Sequence, residues 1–282
     1  MGPIRPIGHI SSVSPMPNLE SLTKQVVEVA RRAGDFIRQE RVRFDANRVE
    51  RKHAHDYVSY VDKQSEQFIV SALRELLPEA GFVTEEGVAT YSDEQYCWVV
   101  DPLDGTTNFL HSYAPYAVSI GLIRGSEMLL GVVYEICADE CHYAWKDGGA
   151  WLDGKRLSVS QQPMSDALVC LQLPYDSDAY SPIVRSLIRQ LYGRVASIRM
   201  IGSAAMALCY VADGRLDGYA EKFLGRWDFT AGALIVREAG GTVTDYDGSP
   251  DLLFGNSVVA TNGIFHSELL QTVKNAIDES SR

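Results

Sequence analysis

The sequence predicts a layered α/β fold. Three observations carry this: helical apolar spacing early in the chain, a series of β-favouring runs between residues 117 and 159, and alternating strand and helix patterns after residue 160. The 282 residues are 46% hydrophobic and 22% charged, which is ordinary globular usage, enough for one or two closely joined domains with a large core.

The first seventeen residues hold four prolines and no apolar run, and are expected to form a disordered arm rather than a signal peptide. From Asn18, a capping residue, apolar side chains at Leu22, Val26, Val29, Ala33 and Ile37 share one helical face. A second helical pattern carries Val58, Val61, Phe68, Ala72 and Leu76 and stops at Pro78, which puts Asp62 near its beginning. Strand-like runs at 81–84 and 96–100 each end in acidic residues. Runs after Ala117, separated by turn signals at Gly125-Ser126, Ala138-Asp139, Gly148-Gly149 and Asp153-Gly154, predict an antiparallel meander.

Beyond residue 160 the expected order is an apolar run at 167–173, a helix at 182–192, a strand at 195–200 and a helix at 203–212. A strand at 218–222, a helix at 228–239, strands at 242–245 and 257–260, and a closing helix at 264–277 complete it. This organisation divides the chain into an arm at 1–17, an α+β domain at 18–160 holding most candidate ligands, and an α/β domain at 161–282 that completes the site.

A net charge of -11 without a Lys/Arg block argues against nucleic acid as a partner, and no apolar stretch is long enough to cross a membrane. The five cysteines show neither CxxC spacing nor a disulfide framework, as expected of reduced thiols in a cytoplasm.

The segment from Trp98 to Phe109 delivers Asp101 and Asp104 at the end of an apolar strand, followed by hydroxyl and amide side chains. Asp-Pro with a nearby Gly suits an ordinary β-turn, but a turn leaves Asp104 unexplained. Two carboxylates aimed into one cavity repel unless a cation or proton lies between them, and oxygen ligands on a tight turn suit magnesium. Taken alone, Glu85 and Glu86 read as a solvated pair and Asp228 as a helix cap.

Taken together, these pieces resemble the inositol monophosphatase family of lithium-sensitive, magnesium-dependent phosphatases. The resemblance runs from about Leu19 onward. It rests on DPxDGTTNF (Asp101 to Phe109), on WDxxAGxxIxxEAGG (Trp227 to Gly241), on GSAA (Gly202 to Ala205) and on the Glu85-Glu86 pair. It implies an αβαβα sandwich, a homodimer, and hydrolysis of a small phosphorylated metabolite such as an inositol monophosphate. Fructose-1,6-bisphosphate, adenosine 3',5'-bisphosphate and histidinol phosphate are substrates of similar proteins, and a non-catalytic regulatory protein on the same scaffold is the competing class.

By the same resemblance, Glu85, Asp101, the Leu103 carbonyl, Asp104 and Asp228 would hold two Mg2+ ions. Asp62 with Glu86 would make room for a third. Asp62 and Thr106 would handle the attacking water, and Lys52 would lie beside the site. Glu221 would bind substrate hydroxyls, while Ser203, Ala204 and Ala205 would line the same pocket through backbone and small side chains. Independently of the resemblance, the stretches after Gly105, Gly202 and Trp227 are expected to present free backbone N–H groups at helix starts, which suit phosphate oxygens. For Ser203 an ordinary helix cap is an equal alternative. One departure is Thr84 and Gly87 flanking the acidic pair, where the family pattern has Gly and a Ser-like residue. Asp104→Asn is expected to remove magnesium-dependent phosphate release and leave the fold intact.

Overall fold

The computed structural model describes residues 16–44, 49–53, 56–87, 95–173 and 177–280, without the side chains of 49–53, 56–58 and 177–179. Only Met16 and Pro17 of the expected arm fall within this range. Among the described residues no helix is long and apolar enough to cross a membrane.

The chain opens with α1 (Leu19–Val42), whose first N–H groups are met by Asn18: its side chain accepts from Ser21 N. Leu22, Val26, Val29, Ala33 and Ile37 are buried on one face, as their spacing predicts. A hairpin, β1 (Val49–His53) and β2 (Asp56–Ser59), precedes α2 (Tyr60–Leu76). The α2 pattern therefore starts two residues later than expected, and Val58 belongs to a strand.

A seven-stranded sheet follows, built from β3 (Gly81–Thr84), β4 (Cys97–Asp104), β5 (Ala117–Arg124), β6 (Glu127–Glu135), β7 (Glu140–Trp145), β8 (Gly149–Leu152) and β9 (Lys155–Arg156), in that order across the sheet. It is the expected meander, antiparallel throughout except for the parallel edge pair β3 and β4. At the Asp153-Gly154 turn both residues have positive φ, the backbone that matches the twist of a two-residue hairpin. A five-residue helix, α3 (Thr106–Leu110), lies between β4 and β5.

The second half supplies β10 (Leu168–Leu171), α4 (Ser177–Leu191), β11 (Ser197–Arg199), α5 (Ala204–Ala212), β12 (Gly218–Lys222), α6 (Arg226–Glu238), β13 (Thr242–Thr244), β14 (Ser257–Thr261) and α7 (His266–Ser280). Its sheet runs β11-β10-β12-β14-β13, parallel over the first three strands and antiparallel over the rest. Helix α4 begins five residues earlier than the sequence suggests, with Pro182 inside it.

These elements stack in five layers: α1 and α2, the seven-stranded sheet, α5 and α6, the five-stranded sheet, then α4 and α7. The middle layer explains the composition of its helices. Residues Ala204 to Cys209 and Phe229 to Val236 are buried without interruption, because each helix meets a sheet on both sides and has no face left for water. Close approach demands glycine here: a Cβ on Gly131 of β6 would sit 2.5 Å from the Ala231 carbonyl oxygen of α6.

Candidate active site

Strand β4 runs through Asp104 rather than ending at Val100. Asp101 pairs with Ser119 and Asp104 with Ala117, so three steps on β4 oppose two on β5. This is a β-bulge, and Pro102, which has no N–H for the ladder, sits within it. Its consequence is geometric. Side chains three apart on a regular strand face opposite sides of a sheet, and one extra residue brings Asp101 and Asp104 to the same side. The expected turn is thus a bulge within a strand, and it still serves the aspartates.

Helix α6 brings in the third carboxylate. Asp228 lies in its first turn, where its Oδ2 accepts from Gly225 N at 2.6 Å. One oxygen from each of Asp101, Asp104 and Asp228 falls within 4.8 Å of the others. Glu85 follows β3, its N–H donating to the Val100 carbonyl at 3.2 Å, and its charge acts on both Asp101 and Asp228.

Asp104 also serves α5. Its Oδ2 accepts from Ala205 N at 2.9 Å and from the Ser203 hydroxyl, and its Oδ1 accepts from Ala204 N at 3.3 Å. Ser203 Oγ in turn accepts from Met206 N at 3.2 Å, so the cap reading of Ser203 holds. The start of α5 is therefore not a set of free N–H groups, as the sequence suggested: a buried carboxylate takes the place expected for phosphate there. The helix expected after Trp227 likewise begins two residues earlier, at Arg226, with the Gly225 N–H already given to Asp228.

Helix α2 supplies two buried acids one turn apart. Asp62 Oδ2 accepts from Ser59 N at 2.9 Å and Ser59 Oγ at 2.6 Å, a capping box that leaves Oδ1 to accept from Thr106 Oγ1 at 3.0 Å. Thr106 Oγ1 lies equally close, 3.0 Å, to the Leu103 carbonyl oxygen. Glu66, fully buried, was not singled out from the sequence: its Oε1 accepts from Thr84 Oγ1 and its Oε2 from Glu86 N, both at 2.8 Å. The signal available was its position four residues after Asp62, on the same buried face. Glu66 thus ties down the loop bearing Glu85 and Glu86. Glu66→Ala is expected to weaken divalent-cation affinity roughly 10- to 100-fold, read by calorimetric titration.

Two glycines close the seam between the halves. Gly105 has φ +86° and Gly202 φ +75°, and a Cβ on Gly105 would lie 3.1 Å from the Gly202 carbonyl oxygen. Asn108 Nδ2 donates to the carbonyls of Pro115 and Ile201 at 2.8 and 2.7 Å, and Gln172 Oε1 accepts from Ile201 N and Gly202 N at 3.2 and 3.0 Å. Lys52 lies on β1, but its side chain is outside the described residues.

The electrostatics follow from burial. Asp101 and Asp228 are held well above the usual carboxylate range by burial and by each other's neighbours, Glu85 and Asp104 among them. Burial pushes Asp104 up to about 6 against the hydrogen bonds from Ser203 and Ala205. Glu221 on β12, whose Oε2 accepts from Tyr219 Oη at 2.6 Å, is pushed up to about 8 by burial and, to a lesser degree, by Asp104, against that hydrogen bond. Burial also raises Asp62, opposed by Ser59 and Thr106.

Groups raised on folding stabilise the protein below their unfolded pKa and lose that contribution as pH rises through the folded value. For Asp104 and Glu221 the window extends from roughly pH 4 to about 8. In chelator, the melting temperature is expected to fall as pH rises from about 5 to about 8. Added Mg2+ is expected to flatten that slope, as scanning fluorimetry would show.

Five layers, with three convergent carboxylates that could hold a metal ion, define a layered α/β protein with a candidate metal centre. The chain belongs to the inositol monophosphatase family, whose profile matches residues 18–278. It is 38% identical over 256 residues to the inositol-1-monophosphatase of Mesorhizobium japonicum, covering 90% of this chain and 96% of that one. It is 37% identical over 262 residues to the Nus factor SuhB of Pseudomonas aeruginosa, covering 91% and 97%. The solved IMPase of Thermotoga maritima superposes with a TM-score of 0.84 at 29% identity, over 94% of this chain and 100% of that chain.

Proposed function

We propose that this protein is a magnesium-dependent phosphomonoesterase acting on inositol monophosphates or similar small polyol phosphates. The observation that carries the reading is the convergence of Asp101, Asp104 and Asp228 to within 4.8 Å, the first two buried and the third half-buried, where their charges act against one another. That donor set fits hard divalent cations, which take carboxylate and carbonyl oxygens and relieve the repulsion. Glu85, Asp101, Asp104, Asp228 and the Leu103 carbonyl would hold two Mg2+ ions, with Asp62 and Glu86 near a third. When bound, such ions make water a better nucleophile and offset charge on the phosphate and the leaving oxygen.

The chain's own residues supply the rest. With Oδ2 fixed by Ser59, Asp62 presents Oδ1 to the Thr106 hydroxyl. A Thr106 proton directed at Asp62 leaves the Thr106 lone pairs to orient a water, and a proton leaving that water has a path through Oγ1 to the carboxylate. Glu221, bonded through Oε2 to Tyr219, keeps Oε1 for a substrate hydroxyl. Lithium sensitivity, a homodimer and a cytoplasmic setting belong to the same reading, drawn from the family.

A second reading, a regulatory protein on this scaffold, is favoured by the relative named as a Nus factor. Released phosphate separates the two. Inositol 1-phosphate, fructose-1,6-bisphosphate, adenosine 3',5'-bisphosphate and histidinol phosphate are assayed with and without Mg2+ and Li+. The expected result is magnesium-dependent, lithium-inhibited release, fastest from the inositol ester; no release from any of them defeats the phosphatase reading.

A further inference from the structure

Among the described residues, five other than glycine have positive φ. Four are Ser or Asp in turns, which such backbone suits; the fifth is Phe223, at +68°. A side chain this bulky is disfavoured in the left-handed region, and Gly or Asn would adopt the same backbone with less strain. The ring is not kept there by burial, because it is 40% exposed. It makes a T-shaped contact with the buried Tyr180, with centroids 6.0 Å apart and planes at 81°, and Lys222 Nζ lies over it, 5.6 Å from its centre.

Its location gives the strain a meaning. The turn bearing Phe223 links β12, which presents Glu221, to α6, which presents Asp228. Leu224 N donates to the Asn256 carbonyl at 3.0 Å, joining this turn to the loop of Phe254, a second exposed ring with Arg226 5.6 Å from its centre. Two water-facing rings, each with a cation beside it, thus lie on or beside the turn that joins Glu221 to Asp228. Backbone strain on an exposed aromatic in a turn between two site-bearing elements is a feature that binding can use. A flat unsaturated ring stacks on such faces whatever its hydrogen-bonding pattern, whereas a saturated polyol gains much less.

We infer that Phe223 is a specificity-determining residue that favours phosphate esters whose alcohol carries a flat unsaturated ring, as nucleoside monophosphates do, relative to saturated polyol esters. The inference rests on the phosphatase reading above. The test compares kcat/KM for 2'-adenosine monophosphate with kcat/KM for inositol 1-phosphate in the wild type, Phe223→Asn and Phe223→Tyr. Asn accepts the left-handed backbone and so keeps the turn, which a melting curve checks. The nucleotide-to-inositol ratio is expected to fall roughly 10- to 100-fold in Phe223→Asn and to stay within about threefold in Phe223→Tyr. An unchanged ratio in Phe223→Asn, or an equal loss on both substrates, overturns the role of Phe223 alone. A wild type that hydrolyses neither ester defeats the phosphatase reading and this inference with it.

Discussion

Asp101→Asn is expected to lower kcat/KM for phosphate release by about three orders of magnitude while raising the melting temperature of the metal-free protein. The activity loss follows from removing one charged oxygen ligand, where bound cations are worth several kcal/mol at about 1.4 kcal/mol per factor of ten. The gain in stability follows from the neighbours: Glu85, Asp104 and Asp228 all act against the Asp101 charge, and a neutral amide relieves them. Asn also keeps the hydrogen bond that Asp101 gives its own bulge, since its carbonyl oxygen can accept from Leu103 N, 2.9 Å from Asp101 Oδ1. Phosphate release and calorimetry on one preparation check both signs. Retained turnover would remove the basis for a cation site here.

The structure changes the choice of variant. Asp104→Asn, the natural test from the sequence, does not leave the fold untouched. Asp104 accepts from Ser203, Ala204 and Ala205, and an amide NH2 in place of one carboxylate oxygen faces donors with a donor. Its effect would mix a lost ligand with a damaged start of α5.

Asp62→Asn is expected to reduce kcat by about 10²- to 10⁴-fold, the range for a positioned general base, with much less change in the Mg2+ concentration needed for half-maximal activity. Asp62 is outside the aspartate trio; its Oδ1 meets only the Thr106 hydroxyl among the hydrogen bonds described. An Asn that keeps its oxygen toward Ser59 turns its NH2 toward Thr106. The hydroxyl must then donate to the Leu103 carbonyl, and the path for a water proton is closed. Steady-state kinetics across a magnesium series separates the two parameters; an unaltered kcat would exclude Asp62 from proton handling.

Much of the fold was legible because periodicity reports what each face meets. The apolar spacing of α1 and the turn signals of the meander both stand. Features that depend on distant partners were not. The hairpin of β1 and β2 was read partly into α2, because a short polar strand has no alternation to separate it from a helix entry. The bulge at Pro102 reads as a turn in any local window, since only the register against Ser119 and Ala117 distinguishes the two.

The site divides the same way. Asp101, Asp104 and Asp228 lie in long motifs and were read directly. Glu66 was missed because a mid-helix glutamate is usually solvated. Ser203, Ala204 and Ala205 look open to an anion in the sequence, but the anion they hold is a side chain from about a hundred residues earlier.

The central pair of helices also constrains inheritance. Because the Ala231 backbone rests on Gly131, and Thr230 on Gly121, the two halves share a surface that neither can alter alone. Any lineage that enlarges a side chain on one face must shrink its counterpart on the other. Swapping the second half for that of a distant cousin would yield a mismatched joint before it yielded a new catalyst.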